Sequence, residues 1–301
     1  MKKVVKMLLS VLQANAVVLD IEANLRTIDD AARQAAEAGA DLLLTPELFP
    51  VGYAPLRLRS ELDAAVLPAV RERLAGIARR NGMALVYSLP APAGGESGRD
   101  PLGGAGTAAA AGRGWHISAT LVDAGGRELL SYAKVHLFGG EERKAFSAAA
   151  EPPAVVDFRG IRTSLLICYD IEFPETARAA AARGSELLLV PTALSAGFAA
   201  VPQVLVRARA LESQLNVAYA NHCGVEGAHT FGGGSVVAGP DGTLLAEGGD
   251  APALLFAEVG AEAVRAARDE VPYLRERRPG LYQEWDAVLL REPGTPGDNQ
   301  A

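Results

Sequence analysis

A cysteine closes the apolar run Thr163-Ser-Leu-Leu-Ile-Cys168 and is followed at once by Tyr169-Asp-Ile-Glu-Phe-Pro174-Glu175. A thiol is a nucleophile only as its thiolate, so its use depends on what its surroundings do to a pKa of about 8.5. The run of β-formers reads as a buried strand, and Pro174 suits the first turn of a helix that the alanines up to Ala182 continue. Cys168 is therefore expected beside a helix N-terminus, where unpaired N–H groups and the dipole favour an anion and shift a thiol toward thiolate. The alternative is a buried structural cysteine behaving as a small hydrophobe. Three other polar residues share this placement, where an apolar strand meets a turn and ligands of α/β sheets bind. Glu47 ends Leu42-Leu-Leu-Thr-Pro-Glu47; a carboxylate in apolar company is either paired or raised in pKa, and both suit a general base. Lys134, in Ser131-Tyr-Ala-Lys134-Val-His136-Leu-Phe138, can hold an oxyanion or lower a nearby thiol's pKa, or serve as an edge-strand lysine. Glu142, in Gly139-Gly-Glu-Glu142-Arg-Lys, would by itself be a solvated charge.

Other constellations fail. The four histidines, His116, His136, His222 and His229, lack metal-ligand spacing, and no H-E-x-x-H or paired C-x-x-C occurs. Neither a metal nor a cofactor is expected. Ala193-Leu-Ser195-Ala-Gly197 has Ala where a serine nucleophile elbow needs its first Gly. A papain-like pairing of the cysteine with His136 or His222 is conceivable, but the local papain signature is absent. Gly104-Ala-Gly106-Thr-Ala-Ala109 imitates a dinucleotide fingerprint, yet a Pro/Gly stretch precedes it where a strand is required.

The elements that must position these residues alternate between strand and helix, which points to the α/β class. A first strand ends near Gln13. A helix over 21–38 carries Leu25, Ile28, Ala32 and Ala35 on one stripe and stops at Gly39. After the strand that leads to Glu47, Ser60 followed by Asp63 predicts a capped helix with Leu62, Val66, Val70, Leu74 and Ile77 on one face. Met83–Leu89 reads as a strand, and the Gly/Ala/Pro-rich stretch Pro90–Gly114 as a mobile surface loop. Hairpins are signalled from Ile117 to Tyr132 across Asp123-Ala-Gly-Gly126, and from Gly234 to Ala246 across Gly239-Pro-Asp-Gly242. Between them come the strand of Cys168 and its helix, a strand at Glu186–Pro191, a helix over 202–214 and the strand Val217–Asn221.

Composition narrows the function classes. The chain has 301 residues, 49% of them hydrophobic, enough for a large core, and no Ser/Pro-rich linker divides it. A formal charge of −7 offers no footprint for nucleic acid or an anionic membrane. The basic start resembles a secretory signal poorly, because Lys6 interrupts the apolar run, and no run approaches a membrane span. Two cysteines, Cys168 and Cys223, make no disulfide framework, which fits a reducing, cytoplasmic setting.

Taken together, Thr45-Pro-Glu47-Leu-Phe, Tyr132-Ala-Lys134-Val-His-Leu-Phe138 and Cys168-Tyr-Asp-Ile-Glu-Phe-Pro-Glu175 resemble, in order, the three motifs of the nitrilase superfamily of carbon–nitrogen hydrolases. The likeness extends to Gln13–Asn24, Pro191-Thr-Ala, Ala220-Asn221, Gly232-Gly-Gly-Ser235 and Arg278-Pro-Gly-Leu-Tyr282, so it spans almost the whole chain. The resemblance implies one domain over residues 1–301 with a four-layer αββα sandwich, and a tail from about residue 283 that is extended or at a subunit interface. It also implies a homodimer or larger homo-oligomer, with the helix after Cys168 at the contact. Glu47 would be general base, Lys134 the electrostatic stabiliser, Cys168 the nucleophile and Glu142 a second glutamate, with Glu141 as runner-up. The Tyr169 N–H would join Lys134 in receiving the oxyanion, while Tyr53, Phe138, Thr192 and Ala193 would shape the pocket. Nitrile-cleaving members usually carry Trp-Glu after the nucleophile; Tyr169-Asp170 looks like the amidase and carbamoylase branches. The expected reaction is hydrolysis of a small linear amide to carboxylate and ammonia, then N-carbamoyl hydrolysis, then nitrile hydrolysis. A catalytically idle binding module is the reading from another class. Trp115-His116, where many members have Tyr-Asn, departs from the family pattern.

Overall fold

The computed structural model describes residues 6–93 and 114–289. Most of the loop expected over Pro90–Gly114, and all of the glycine-rich match at 104–109, lies outside the described residues.

In the first half, β1 (Lys6–Gln13) leads to α1 (Ile21–Glu37), β2 (Leu42–Leu44), α2 (Pro55–Glu61), α3 (Leu67–Asn81), β3 (Ala84–Pro92), β4 (Trp115–Val122), β5 (Glu128–Ala133) and α4 (Gly139–Ala145). The second half runs through β6 (Val156–Phe158), β7 (Ile161–Leu165), α5 (Pro174–Ala182), β8 (Leu187–Thr192), α6 (Val206–Ser213), β9 (Asn216–Asn221), β10 (Cys223–Glu226), β11 (His229–Gly232), β12 (Val236–Ala238) and β13 (Leu244–Glu247). Then β14 (Ala253–Gly260), α7 (Ala261–Glu270), α8 (Tyr273–Glu276) and α9 (Pro279–Leu289) end the described chain.

Two six-stranded sheets result, in the orders β14-β1-β2-β3-β4-β5 and β13-β12-β9-β8-β7-β6. In each, three central strands are parallel and the flanking ones antiparallel. The sheets face one another through β1 against β9, β2 and β3 against β8, and β5 against β7. Helices α1 and α3 cover the outer face of the first sheet, and α5 and α6 pack together over the second. This is the expected αββα layering. Strands buried on both faces lose the alternation of a half-exposed strand and read as unbroken apolar runs, as Leu42-Leu-Leu44 and Leu187-Leu-Leu-Val190 do.

The predicted stripe of α1 is buried as Leu25, Ile28, Ala32 and Ala35, and Asp20 caps it by accepting from the Ala23 N–H at 2.9 Å. The capped helix predicted at Ser60 is corrected. Ser60 lies inside α2, its hydroxyl bonded back to Leu56 O, while Asp63 caps a single 3₁₀ turn over 64–66. The starts are instead marked by Pro55 and Pro68, each in a first helical turn where a missing N–H costs nothing. The first residues of the tail, through Leu289, belong to the helix α9.

Candidate functional site

The four residues singled out arrive from separate elements at one end of the paired sheets. Glu47 stands just beyond β2, Lys134 directly after β5, Glu142 within α4 and Cys168 beyond the end of β7. Lys134 Nζ lies 2.8 Å from Glu47 Oε1 and 2.8 Å from Glu142 Oε1, with all three side chains buried. Glu142 is held further by the Tyr53 hydroxyl, which donates to Oε1 at 2.6 Å, and by the Phe138 N–H, which donates to Oε2 at 2.8 Å. Glu141, the other candidate, is exposed and lies 3.4 Å from His229 instead. Lys134 is thus no edge-strand lysine, and Glu142 no solvated charge.

Burial raises the Glu47 carboxyl to a pKa of about 7, against the opposing pull of the Lys134 ammonium. Its Oε2 is buried without a hydrogen-bond partner, and the Cys168 side chain acts on the same carboxyl. Burial by itself would push Lys134 toward neutrality; Glu47 and Glu142 outweigh it and hold the ammonium well above its usual pKa. Cys168 differs from the sequence expectation. It opens a 3₁₀ turn, Cys168–Glu172, that separates it from the start of α5. Burial first, and the Glu47 carboxylate second, raise its thiol well above the ordinary value, so the resting group is a thiol and not a thiolate. Its backbone is left-handed, φ 46°, a conformation that a side chain adopts only when its surroundings impose it.

Those surroundings are identifiable. Asp170 Oδ1 accepts from the His136 backbone N–H at 2.8 Å and contacts its ring Nδ1 at 3.0 Å, while Oδ2 accepts from the Tyr132 hydroxyl at 3.0 Å. One buried carboxylate therefore ties the turn after Cys168 to the strand that presents Lys134. Arg209 donates to the carbonyls of Ile171 and Glu172 at 3.0 and 2.6 Å, fixing the same turn from α6. The Glu47 N–H donates to Thr192 O at 3.2 Å, joining the two sheets at the site.

Among the expected pocket residues, Tyr53 is buried against Glu142, and Phe138, 40% exposed, meets the rings of Tyr169 and Phe198 at 5.2 and 6.1 Å. Ala193 is buried, and its backbone makes a hydrogen-bond contact with Cys168. Thr192 is buried with its hydroxyl turned to Val190 O at 3.3 Å. The Asn221 amide pins the adjoining segment, accepting from Leu194 N–H at 2.7 Å and donating to Gly233 O at 2.7 Å. Neither histidine pairs with Cys168: His136 is bound to Asp170, and His222 contacts the Glu47 carbonyl and Glu226. His222 and Glu226 are absent from the set chosen by sequence; the only signal for them is a histidine directly after the strand that ends at Asn221. Among the described residues no group of three or more His, Cys, Asp or Glu side chains is arranged to hold a metal ion, and no helix is long and apolar enough to cross a membrane.

A buried base, ammonium and thiol with a second carboxylate can carry out acyl transfer. Known proteins agree with that chemistry. Residues 8–269 match the carbon–nitrogen hydrolase family. The Pseudomonas protegens protein "Hydrolase in pqqF 5'region" is 37% identical over 267 residues, 88% of this chain and 87% of that one. The crystal structure of an amidase from Nesterenkonia sp. superposes with a TM-score of 0.81 at 45% identity, over 95% of this chain and 98% of that one. A glutamate-to-glutamine mutant of the Nesterenkonia sp. AN1 amidase, at the same TM-score, identity and coverage, shows covalent addition of the acetamide moiety of fluoroacetamide at the active-site cysteine. The fold, the assembled site and the family match over residues 8–269 lead to one conclusion: the chain belongs to the carbon–nitrogen hydrolase family and is a hydrolase acting on carbon–nitrogen bonds.

Proposed function

We propose that the protein hydrolyses a small linear amide to a carboxylate and ammonia through a thioester on Cys168. The observation that carries this reading is the Lys134 ammonium held at 2.8 Å by both Glu47 and Glu142 in a buried site shared with a protonated thiol. A thiol that rests protonated needs a base at the moment of attack, and a carboxyl with a pKa of about 7 is matched to that task near neutrality. As Sγ attacks the amide carbon, its proton passes to Glu47 and the carbonyl oxygen becomes an oxyanion. An ammonium has three N–H donors; two of those on Lys134 face carboxylates, and the third, with the Tyr169 N–H, receives the oxyanion. On collapse the C–N bond breaks and the nitrogen takes the proton from Glu47, leaving as ammonia. Water then attacks the thioester and gives one proton to Glu47; the C–S bond breaks, Sγ takes that proton back as the thiol, and the acid departs as the carboxylate with its proton released to solvent. Glu142 positions the amide or the attacking water. Tyr53, Phe138, Thr192 and Ala193 bound the acyl pocket.

The similarity to the Nesterenkonia amidase supports amides over N-carbamoyl compounds and nitriles. The same reading places the enzyme in the cytoplasm, in keeping with two free cysteines, and in a homodimer or larger assembly, for which the exposed Leu211, Tyr273 and Trp285 offer apolar surface. Ammonia release across short amides, carbamoyl amino acids and nitriles tests the substrate class. Turnover confined to carbamoyl compounds or nitriles would overturn it. In Glu47→Gln, alkylation of Cys168 by iodoacetamide should be slowed severely, and a wild-type rate would remove Glu47 from the base role.

A further inference from the structure

His222 and Glu226 are fully buried, charged in type, and idle in the mechanism above. His222 Nε2 lies 2.6 Å from the backbone carbonyl of Glu47, and Nδ1 lies 2.5 Å from Glu226 Oε1. A carbonyl oxygen only accepts, so Nε2 carries a proton. Glu226 accepts on both oxygens from the backbone: Oε1 from the Ala16 N–H at 2.8 Å and Oε2 from the Tyr53 N–H at 3.1 Å. That cradle of donors stabilises a carboxylate, and the proton between Glu226 and Nδ1 then belongs to the ring. The imidazole packs between Phe49, at 5.4 Å, and Phe231, at 5.0 Å, away from water. The carboxylate of Glu226 raises the His222 pKa against burial, and His222 lowers that of Glu226, in the same sense as the geometry.

The two partners of this pair are the two arms of the site. Through Nε2 it grips the backbone of Glu47, whose successor Leu48 sits in the left-handed region at φ 54°. Through Glu226 it grips the backbone of Tyr53, whose hydroxyl holds Glu142. We propose that His222 and Glu226 form a buried imidazolium–carboxylate clasp that positions the Glu47 base and, through Tyr53, Glu142; its kinetic consequence rests on the amidase reading. Both are positioning residues, since neither touches the reacting atoms. A charged clasp suits this place because a buried ion pair with its remaining hydrogen bonds filled is costly to break and fixes geometry.

The test uses the full-length protein. His222→Phe keeps a ring between Phe49 and Phe231 and removes both donors, whereas His222→Gln loses the ring and restores one amide donor toward the Glu47 carbonyl. The expected result is a kcat lower by about 10²-fold in His222→Phe, the cost of a misplaced catalytic group, with KM changed by less than about twofold. His222→Gln should recover part of the loss. A His222→Phe enzyme with wild-type kcat, or one better than His222→Gln, would show that only packing matters and would overturn the clasp. A second measurement needs no folded variant: ¹⁵N-histidine NMR of the wild type, with His222 assigned by contacts to the Phe49 and Phe231 ring protons. The clasp requires both His222 nitrogens to be protonated at pH 7.5; a neutral ring with one N–H contradicts it. If the wild type releases no ammonia from any amide, the functional reading fails, while the NMR result still decides the clasp.

Discussion

At the scale of single residues, the proposed mechanism starts from a Cys168 thiol that burial and Glu47 keep protonated. The sequence places Cys168 at a strand end, and from that alone a helix terminus would favour thiolate; what reverses the sign is burial beside Glu47, a residue far away along the chain. Neighbours distant in sequence are what a linear reading lacks. It still picked out Glu47, Lys134 and Cys168, because each ends an apolar run or follows one closely; Glu142, a solvated charge by itself, came from the resemblance of the motifs. The raised Glu47 pKa predicts that the rate of Cys168 alkylation climbs as pH rises through about 7, and a flat profile from pH 5.5 to 8 would count against that base. The sign for stability is opposite. A carboxyl raised from 4.5 to about 7 on folding takes up a proton in that window, so its contribution is full below 4.5 and lost as pH rises through 7. Glu47→Gln should therefore compare more favourably with wild type in urea denaturation at pH 8 than at pH 5. Lys134→Met leaves two buried carboxylates without their cation and should cost about 3–5 kcal/mol. Denaturant titration at pH 5, below the raised pKa of Glu47, should show a smaller loss than at pH 8.

At the scale of elements, the turn after Cys168 is held from two sides, by Asp170 reaching the lysine strand and by Arg209 reaching in from α6. Asp170→Asn replaces one acceptor oxygen by a donor, so it must lose either the His136 N–H or the Ile167 N–H, while the Tyr132 hydroxyl can turn to accept. We expect kcat to fall by about 10²-fold through displacement of Cys168 relative to Lys134, with far-UV circular dichroism unchanged; wild-type turnover would show that the turn holds itself. The central strands of both sheets and the helices α1, α5 and α6 were legible because their apolar periods are clean, as in α1 and in β8, whereas α2, α4, α7 to α9 and the strands β6, β10, β11 and β14 were not read from the sequence. Nor was the helix start near residue 60. Ser60 and Asp63 imitate a cap at the right spacing, while the real starts are set by Pro55 and Pro68, whose preference for a first turn competes with that pattern. Glu226 was missed for a different reason: its partners, Ala16 and Tyr53 backbone N–H groups, lie far from it along the chain in loops without periodicity.

At the scale of the whole molecule, the two sheets contribute unequally and jointly. Glu47 and Lys134 come from the first and Cys168 from the second, so the site exists only where the sheets meet. The alternation of strands and helices made the α/β class legible; the pairing of two sheets face to face came from the resemblance of the three motifs, since periodicity does not say how many sheets share the strands. Assembly is a property at this scale. Light scattering should give at least twice the 31.3 kDa chain mass, and a monomer at micromolar concentration would remove the oligomer from the account. The central claim is that Cys168 carries the acyl group, and it is tested most directly by ammonia release from a small amide by wild type and by Cys168→Ala, with the variant's thermal unfolding as control. The account predicts release by the wild type and none above background from a cooperatively folded variant. Ammonia release by Cys168→Ala at the wild-type rate would contradict it.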